Sequence, residues 1–134
     1  MTRLDHLNMT VEDLKESTEW YQGVFGFDRV EHGLYGGRPW AILRSGGSML
    51  CLYERPGRKH LESDDASQRK IHQVAHFGLA VESRSAWEES VRKYKLKVEY
   101  GGAVRYPNSW SWYITDPSGY EIEVVIWDGN EATF

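Results

Sequence analysis

The stretch WYITDPSGYEIEV, residues 112–124, decides the fold when it is laid over WAILRSGGSMLCL, residues 40–52. At this offset of 72 residues Trp40 meets Trp112, Ile42 meets Ile114, Gly47 meets Gly119 and Leu50 meets Ile122. A second echo lies upstream. LDHLNMTV (4–11) and VAHFGLAV (74–81) share an apolar residue, a spacer, a histidine and an alternation that ends in valine. His6 and His76 thus stand at matching points of two similar strands, 70 residues apart. Self-similarity at a nearly fixed period marks a duplicated structural unit.

The segments between the echoes correspond as well. Leu14, Thr18, Tyr21 and Phe25 recur at helical spacing after the first histidine strand, and Trp87, Val91 and Tyr94 do so after the second. Ser85 and Glu88 are spaced for a capping box at the start of the second helix. Each half therefore reads strand, helix, then three strands. The expected elements are 3–11, 13–25, 27–34, 38–45 and 48–54 in the first half, and 72–82, 84–96, 97–105, 110–115 and 120–127 in the second. Module one spans 1–54 and module two 72–134, with the polar RPGRKHLESDDASQRK and Ile71 (55–71) as a linker. The fold class is α+β, two paired βαβββ modules forming a curved, mostly antiparallel sheet.

Composition sets the boundaries on function. The 134 residues suffice for one domain of ordinary size or two small modules sharing a core. Sixteen basic and twenty acidic residues give a net charge of −4, with no basic run longer than two or three, so neither nucleic acid nor an anionic membrane surface is an expected partner. MTRLDHLN holds no apolar segment of signal-peptide length, and no stretch approaches the roughly 18 apolar residues of a membrane span. A cytoplasmic location is expected, and the single Cys51, which has no internal disulfide partner, agrees with it.

Alternation shows which way the marked side chains point. His6 shares a face with Asn8 and Thr10, while Leu7, Met9 and Val11 share the other. His76 goes with Gly78 and Ala80, against Phe77, Leu79 and Val81. With the apolar faces under the helices, both histidines point to the open, concave side. Glu121 and Glu123 alternate with Ile122, Val124 and Ile126, which adds a carboxylate to a polar face. His32 near a glycine-rich turn and His60 in the linker read as solvent-facing; His72 has the parity of His76 but lies near the strand's edge.

The doubled plan, HLNMTV, HFGLAV and above all YITDPSGYEIEV resemble the vicinal oxygen chelate superfamily, which includes glyoxalase I, extradiol dioxygenases, methylmalonyl-CoA epimerase, fosfomycin-resistance enzymes and bleomycin-resistance proteins. The resemblance implies metal ligands at His6, His76 and Glu123, one divalent ion per site, and a cavity for a small-molecule substrate. Two imidazoles and a carboxylate with open positions suit Fe(II), Mn(II), Ni(II) or Zn(II). It also implies a homodimer in which His6 of one chain joins His76 and Glu123 of its partner.

Departures from each subfamily rank the reactions. Glyoxalase I carries a second carboxylate where the repeat puts Cys51, which weakens isomerase and epimerase readings. Ser111 and Tyr113 match substrate hydroxyls of fosfomycin-resistance enzymes, but Ala103 stands where a lysine is expected and no arginine follows Glu123. Bleomycin-resistance proteins usually lack the triad. Extradiol dioxygenases share it together with a tyrosine ten residues before the glutamate, as Tyr113 is to Glu123, although GAVRYPNSWSW lacks their further histidine. The expected function is a metal-dependent, extradiol dioxygenase-like enzyme acting on a small oxygenated molecule, aromatic ones included. Tyr113 is its catalytic residue, and Asn8, Trp40, Tyr53, Trp110, Ser111 and Trp112 bind substrate, with Tyr106 among the supporting aromatics. Alternatives are a glyoxalase I-type lyase or isomerase, and a non-catalytic binding protein of the drug-resistance type.

Overall fold

The computed structural model describes residues 1–134 as two compact units, Met1–Lys59 and His60–Phe134. Unit 1 runs β1 (Leu7–Val11), α1 (Leu14–Phe25), β2 (Asp28–Tyr35), β3 (Arg38–Ser45) and β4 (Ser48–Glu54). Unit 2 runs α2 (Ser63–Gln68), β5 (Phe77–Ala80), α3 (Arg84–Lys93), β6 (Val104–Tyr106), β7 (Ser109–Thr115) and β8 (Glu121–Trp127). With α2 set aside, both are βαβββ modules, and the α+β class stands. The strands form two four-stranded sheets, ordered β1-β4-β3-β2 and β5-β8-β7-β6. In each, the first strand pairs parallel with the last and the other pairs are antiparallel. A parallel pair needs a long crossover, and the helix supplies part of it. No helix is long and apolar enough to cross a membrane.

Unit 1 buries Met9, Val11, Ala41, Leu43, Leu50 and Leu52 from one face of its sheet, with Tyr21 and Val24 from α1. The helix starts where Asp13 accepts the Glu16 N–H at 2.8 Å and Glu54 Oε2 accepts the Leu14 N–H at 2.9 Å, and it ends on Gly26 at φ 72°. In unit 2 the cap of α3 is Ser83, whose hydroxyl accepts the Ala86 N–H at 3.2 Å. The capping box read at Ser85 is therefore corrected, because Ser85 already lies inside the first turn. Trp87 anchors this helix; Tyr94, expected on the same apolar stripe, is 37% exposed and serves as C-cap.

The repeat itself needs a correction of one residue. Leu43 pairs with Leu50 seven residues on, whereas Ile114 pairs with Ile122 eight residues on. The β7–β8 turn is thus one residue longer than the glycine hairpin joining β3 to β4. Leu50 still corresponds to Ile122, but Trp40, paired with Tyr53, corresponds to Ser111, paired with Val125. A slip of one residue exchanges faces. Trp40 and Trp112, matched in sequence, occupy opposite faces of their sheets.

The longer turn is built by DPSGY. The Asp116 carboxylate accepts the N–H groups of Ser118 and Tyr120, both at 2.9 Å, and Gly119 takes φ 98°. His60 packs onto this turn, edge-on to Tyr120 at 4.8 Å, so its expected solvent-facing position is corrected. A Cβ at Gly119 would come within 2.9 Å of His60 Cβ. Asp116 is 5% exposed, so Asp116→Ala strips two donors of their acceptor and is expected to destabilise the protein by about 1–3 kcal/mol. Urea denaturation with a stability loss below half of that would demote the turn to a passive connection.

Other boundaries also move. The segment read as a linker carries α2, held down by the buried Ala66. The strand expected at 97–105 shrinks to β6 because Tyr100, Gly101 and Gly102 have φ of 56°, 81° and 112°, outside strand geometry. The strands expected at 3–11 and 72–82 are shorter, so His6 and His76 each immediately precede a strand.

Candidate functional site

In-register partners in a sheet share a face, so Gly78 on β5, Glu123 on β8 and Tyr113 on β7 form one row. Ile122 and Val124, on the opposite parity, are fully buried and fix that orientation. His76 sits one residue before β5, and its Nε2 lies 3.0 Å from Glu123 Oε2. Its Nδ1 is 3.8 Å from Glu121 Oε1, an ion-pair approach longer than a hydrogen bond. The other Glu123 oxygen, Oε1, accepts the Ser111 hydroxyl at 2.6 Å. Side-chain exposures of 36% for His76 and 24% for Glu123 leave both reachable from solvent.

Phenols surround this pair. Tyr113 stands edge-on to His76 at 5.8 Å and to Tyr100 at 5.2 Å, and its hydroxyl is 2.8 Å from that of Tyr106. Burial, the bond with Tyr106 and the Glu123 charge hold the Tyr113 phenol well above its ordinary pKa, so it stays protonated at neutral pH. The same face opens into a pocket of about 500 Å³ lined by Gly78, Tyr106, Pro107, Asn108, Ser109, Tyr113, Glu123, Val125, Trp127, Thr133 and Phe134. Its walls are mostly aromatic and apolar. Glu123 is the one carboxylate side chain in the lining, and no lysine or arginine joins it.

The expected site residues divide sharply. His76, Glu123, Ser111 and Tyr113 come together on this face. His6 lies on unit 1, where its Nδ1 is 2.8 Å from Asp5 Oδ2, and no group of three or more histidine, cysteine or acidic side chains is arranged to hold a metal. Asn8, Trp40 and Tyr53 share one face of the unit 1 sheet, with Cys51 opposite Asn8 and Trp40 stacked on Tyr53 at 6.4 Å. Burial, then the Asp5 charge, pushes the Cys51 thiol up, which disfavours a thiolate there.

Two substrate-binding expectations are overturned by parity. Trp112 is 5% exposed and packs edge-on against Trp87 of α3, and Trp110 lies under the Arg84 guanidinium at 4.7 Å. Both belong to the helix side of the sheet, away from Glu123. Ser111 is on the right face but fully buried, with its hydroxyl committed to Glu123, so it orients the carboxylate instead of touching substrate.

A family model described as the glyoxalase/bleomycin resistance protein/dioxygenase superfamily matches residues 3–124. The chain belongs to that superfamily. It is 25% identical to the metallothiol transferase FosB of Staphylococcus epidermidis over 124 residues, covering 92% of this chain and 81% of the relative. Among solved structures it is similar to a glyoxylase/bleomycin resistance protein/dioxygenase domain from Frankia sp. EAN1pec, with 21% identity, TM-score 0.76, and 95% and 98% of the two chains covered. It is also similar to the fosfomycin resistance protein FosX of Listeria monocytogenes, with 14% identity, TM-score 0.71, and 92% and 90% covered. At these identities the structural likenesses speak for the fold alone.

Within this superfamily fold, sequence reading missed part of the pocket. Trp127 and Val125 follow Glu123 at strand parity, and Ser109 shares parity with Tyr113, so strict alternation carried their signal. Phe134, edge-on to Trp127 at 5.5 Å, and Thr133, whose carbonyl accepts from Asn108 at 3.1 Å, had none, because they come from a segment without regular structure.

Proposed function

We propose that this protein is a metal-dependent enzyme acting on a small, oxygenated, aromatic molecule, with His76 and Glu123 as metal ligands and the pocket of unit 2 as the ring-binding site. The observation that carries the reading is the approach of His76 Nε2 to Glu123 Oε2, 3.0 Å apart, beside an aromatic-walled pocket to which Glu123 also belongs. An imidazole nitrogen and a carboxylate oxygen that converge and remain partly exposed are a fitting pair of donors for a divalent ion. His6 stands in the reading as a third donor, on the strength of the resemblance that named it. When bound, the ion would polarise substrate oxygens as a Lewis acid.

The chain's own residues have separable parts in this chemistry. Ser111 fixes one Glu123 oxygen and leaves the other toward His76. Trp127, Tyr106 and Phe134 offer faces and edges for a flat ring. The protonated Tyr113 can donate a hydrogen bond or a proton to a substrate oxygen. An anionic phosphonate, the substrate class implied by the fosfomycin-resistance resemblance, would find no cation in this lining. A dioxygenase-like reaction therefore leads over phosphonate chemistry.

Protein offered Fe(II), Mn(II), Ni(II) and Zn(II) in turn should take up a divalent ion, and an oxygen-uptake screen against catechols should then give activity. Uptake of none of the four would overturn the reading in favour of a non-catalytic binding protein, and turnover of hemithioacetals in place of catechols would move it to a glyoxalase-type enzyme. Tyr113→Phe should keep the metal and lower turnover by about a hundredfold, the scale of a lost proton donor. Unchanged turnover would reduce Tyr113 to a wall of the pocket.

A further inference from the structure

Three rows of side chains cross the pocket face of the unit 2 sheet, because in-register partners share a face. The first holds Gly78, Glu123 and Tyr113, the second Val125 and Ser111, and the third Trp127, Ser109 and Tyr106. The chemistry proposed above sits at the first row. From Tyr113 back to Ser109 is four residues along β7, about 13 Å at roughly 3.3 Å per residue. A benzene molecule is held by a cavity of about 150 Å³, whereas this pocket offers about 500 Å³. A lone ring seated at Glu123 would leave the third row untouched.

Ser109 is the unusual member of that row. It is 4% exposed and lines the pocket, and its hydroxyl bonds to no other group of the chain. The polar groups around it are committed. The Ser111 hydroxyl donates to Glu123 at 2.6 Å, and the Tyr106 hydroxyl meets that of Tyr113 at 2.8 Å. Asn108 Nδ2 donates to the Thr133 carbonyl at 3.1 Å, and the Thr133 hydroxyl to the Glu131 carbonyl at 3.2 Å. A sheltered hydroxyl costs free energy until something bonds to it, and here that partner has to come from within the pocket.

The lining also selects the charge of such a partner. It holds no lysine or arginine to meet an anion, and its one carboxylate side chain, Glu123, stands two rows away from where a cation at Ser109 would need it. A serine hydroxyl both donates and accepts, so a neutral hydroxyl, carbonyl or amide suits it.

We infer that the unit 2 pocket takes an aromatic molecule longer than one ring, and that Ser109 is a specificity-determining residue whose hydroxyl bonds to a neutral polar group at the end of the molecule farthest from Glu123. The inference rests on the ring-binding reading of this pocket, but not on the metal.

The test compares two catechols of equal length, 4-(3-hydroxypropyl)catechol and 4-butylcatechol, which differ by a terminal hydroxyl in place of a methyl group. Their dissociation constants for the full chain as purified are measured by calorimetry under nitrogen, so that no catechol is oxidised. Ser109→Ala should shift the ratio of the two affinities against the hydroxypropyl compound by about three- to tenfold, the net worth of one hydrogen bond. In the wild-type chain, nuclear Overhauser contacts should run from the hydroxypropyl protons to Ser109 and Trp127 and from the ring protons to Tyr113. These contacts carry the test if Ser109→Ala does not fold. An unchanged ratio, or ring protons that contact Ser109 while the chain points toward Tyr113, would overturn the inference and leave the ring site standing. Failure of both catechols to bind the wild-type chain would overturn the ring-binding reading, and this inference with it. A chain that takes up no divalent ion but shows the shifted ratio would lose the enzyme reading and keep Ser109 in its role.

Discussion

Replacing Glu123 by glutamine is expected to weaken Zn2+ binding more than a hundredfold while leaving the fold intact. The fold should survive because Glu123 points away from the core that Ile122 and Val124 build, and glutamine has nearly the same shape. Binding should not survive, for three connected reasons. The amide oxygen has no charge to offset that of the cation. Its NH2 group competes for the place where Oε1 now accepts from Ser111 or where Oε2 faces His76. The imidazole also loses a charged neighbour at 3.0 Å. Removing a ligand itself should exceed the roughly 10- to 100-fold effect of removing a ligand's outer partner. Titration with Zn2+, alongside a thermal melt, checks both halves of the expectation, and equal affinity for the two proteins would take Glu123 out of the metal site and the proposal with it.

How far the sequence could carry this reading depended on the kind of signal each residue leaves. The duplication was legible because strands that bury one face must alternate, and the two halves alternate alike. Alternation put His76 and Glu123 on polar faces, whereas Tyr113 was named by the resemblance and not by parity; Gly78, Glu123 and Tyr113 form one row across the unit 2 sheet. Parity failed where chain length intervened. Aligning Trp40 with Trp112 assumed equal turns, and the extra residue of DPSGY carried Trp112 to the helix side. Ser111 and Trp112 are adjacent on one strand, so both could not have faced one cavity; the alternation rule contained that correction. His60 and α2 were illegible for a different reason. Their places depend on contacts distant in sequence, the Tyr120 ring and the buried Ala66 site, which no local pattern announces. The left-handed run at Tyr100–Gly102 was half visible, because the glycine pair is a loop signal but the tyrosine's conformation is not.

The register correction makes the two matched tryptophans unequal, and their alanine variants measure the difference. Trp112 is 5% exposed, with its ring edge-on to Trp87 at 6.4 Å and the Arg84 guanidinium 5.4 Å above it. Trp112→Ala removes the centre of that stack and leaves a cavity that sheet and helix can close only in part. A loss of about 3–5 kcal/mol is expected, as for other large aromatic truncations in cores. Trp40 lies on the open face of the unit 1 sheet, half-buried, with its indole over Gly33 and stacked on Tyr53. A Cβ at Gly33 would meet that indole at 2.8 Å, so the glycine makes room for a flat cover, not for an interior residue. Trp40→Ala forfeits one aromatic pair and some apolar contact, for which about 1 kcal/mol is expected. Urea unfolding of the two variants, read by far-UV circular dichroism so that the lost fluorophores do not bias the comparison, should therefore separate them by a wide margin. Similar losses would mean that both indoles share one kind of environment, and that the 72-residue alignment is right and the shifted register wrong.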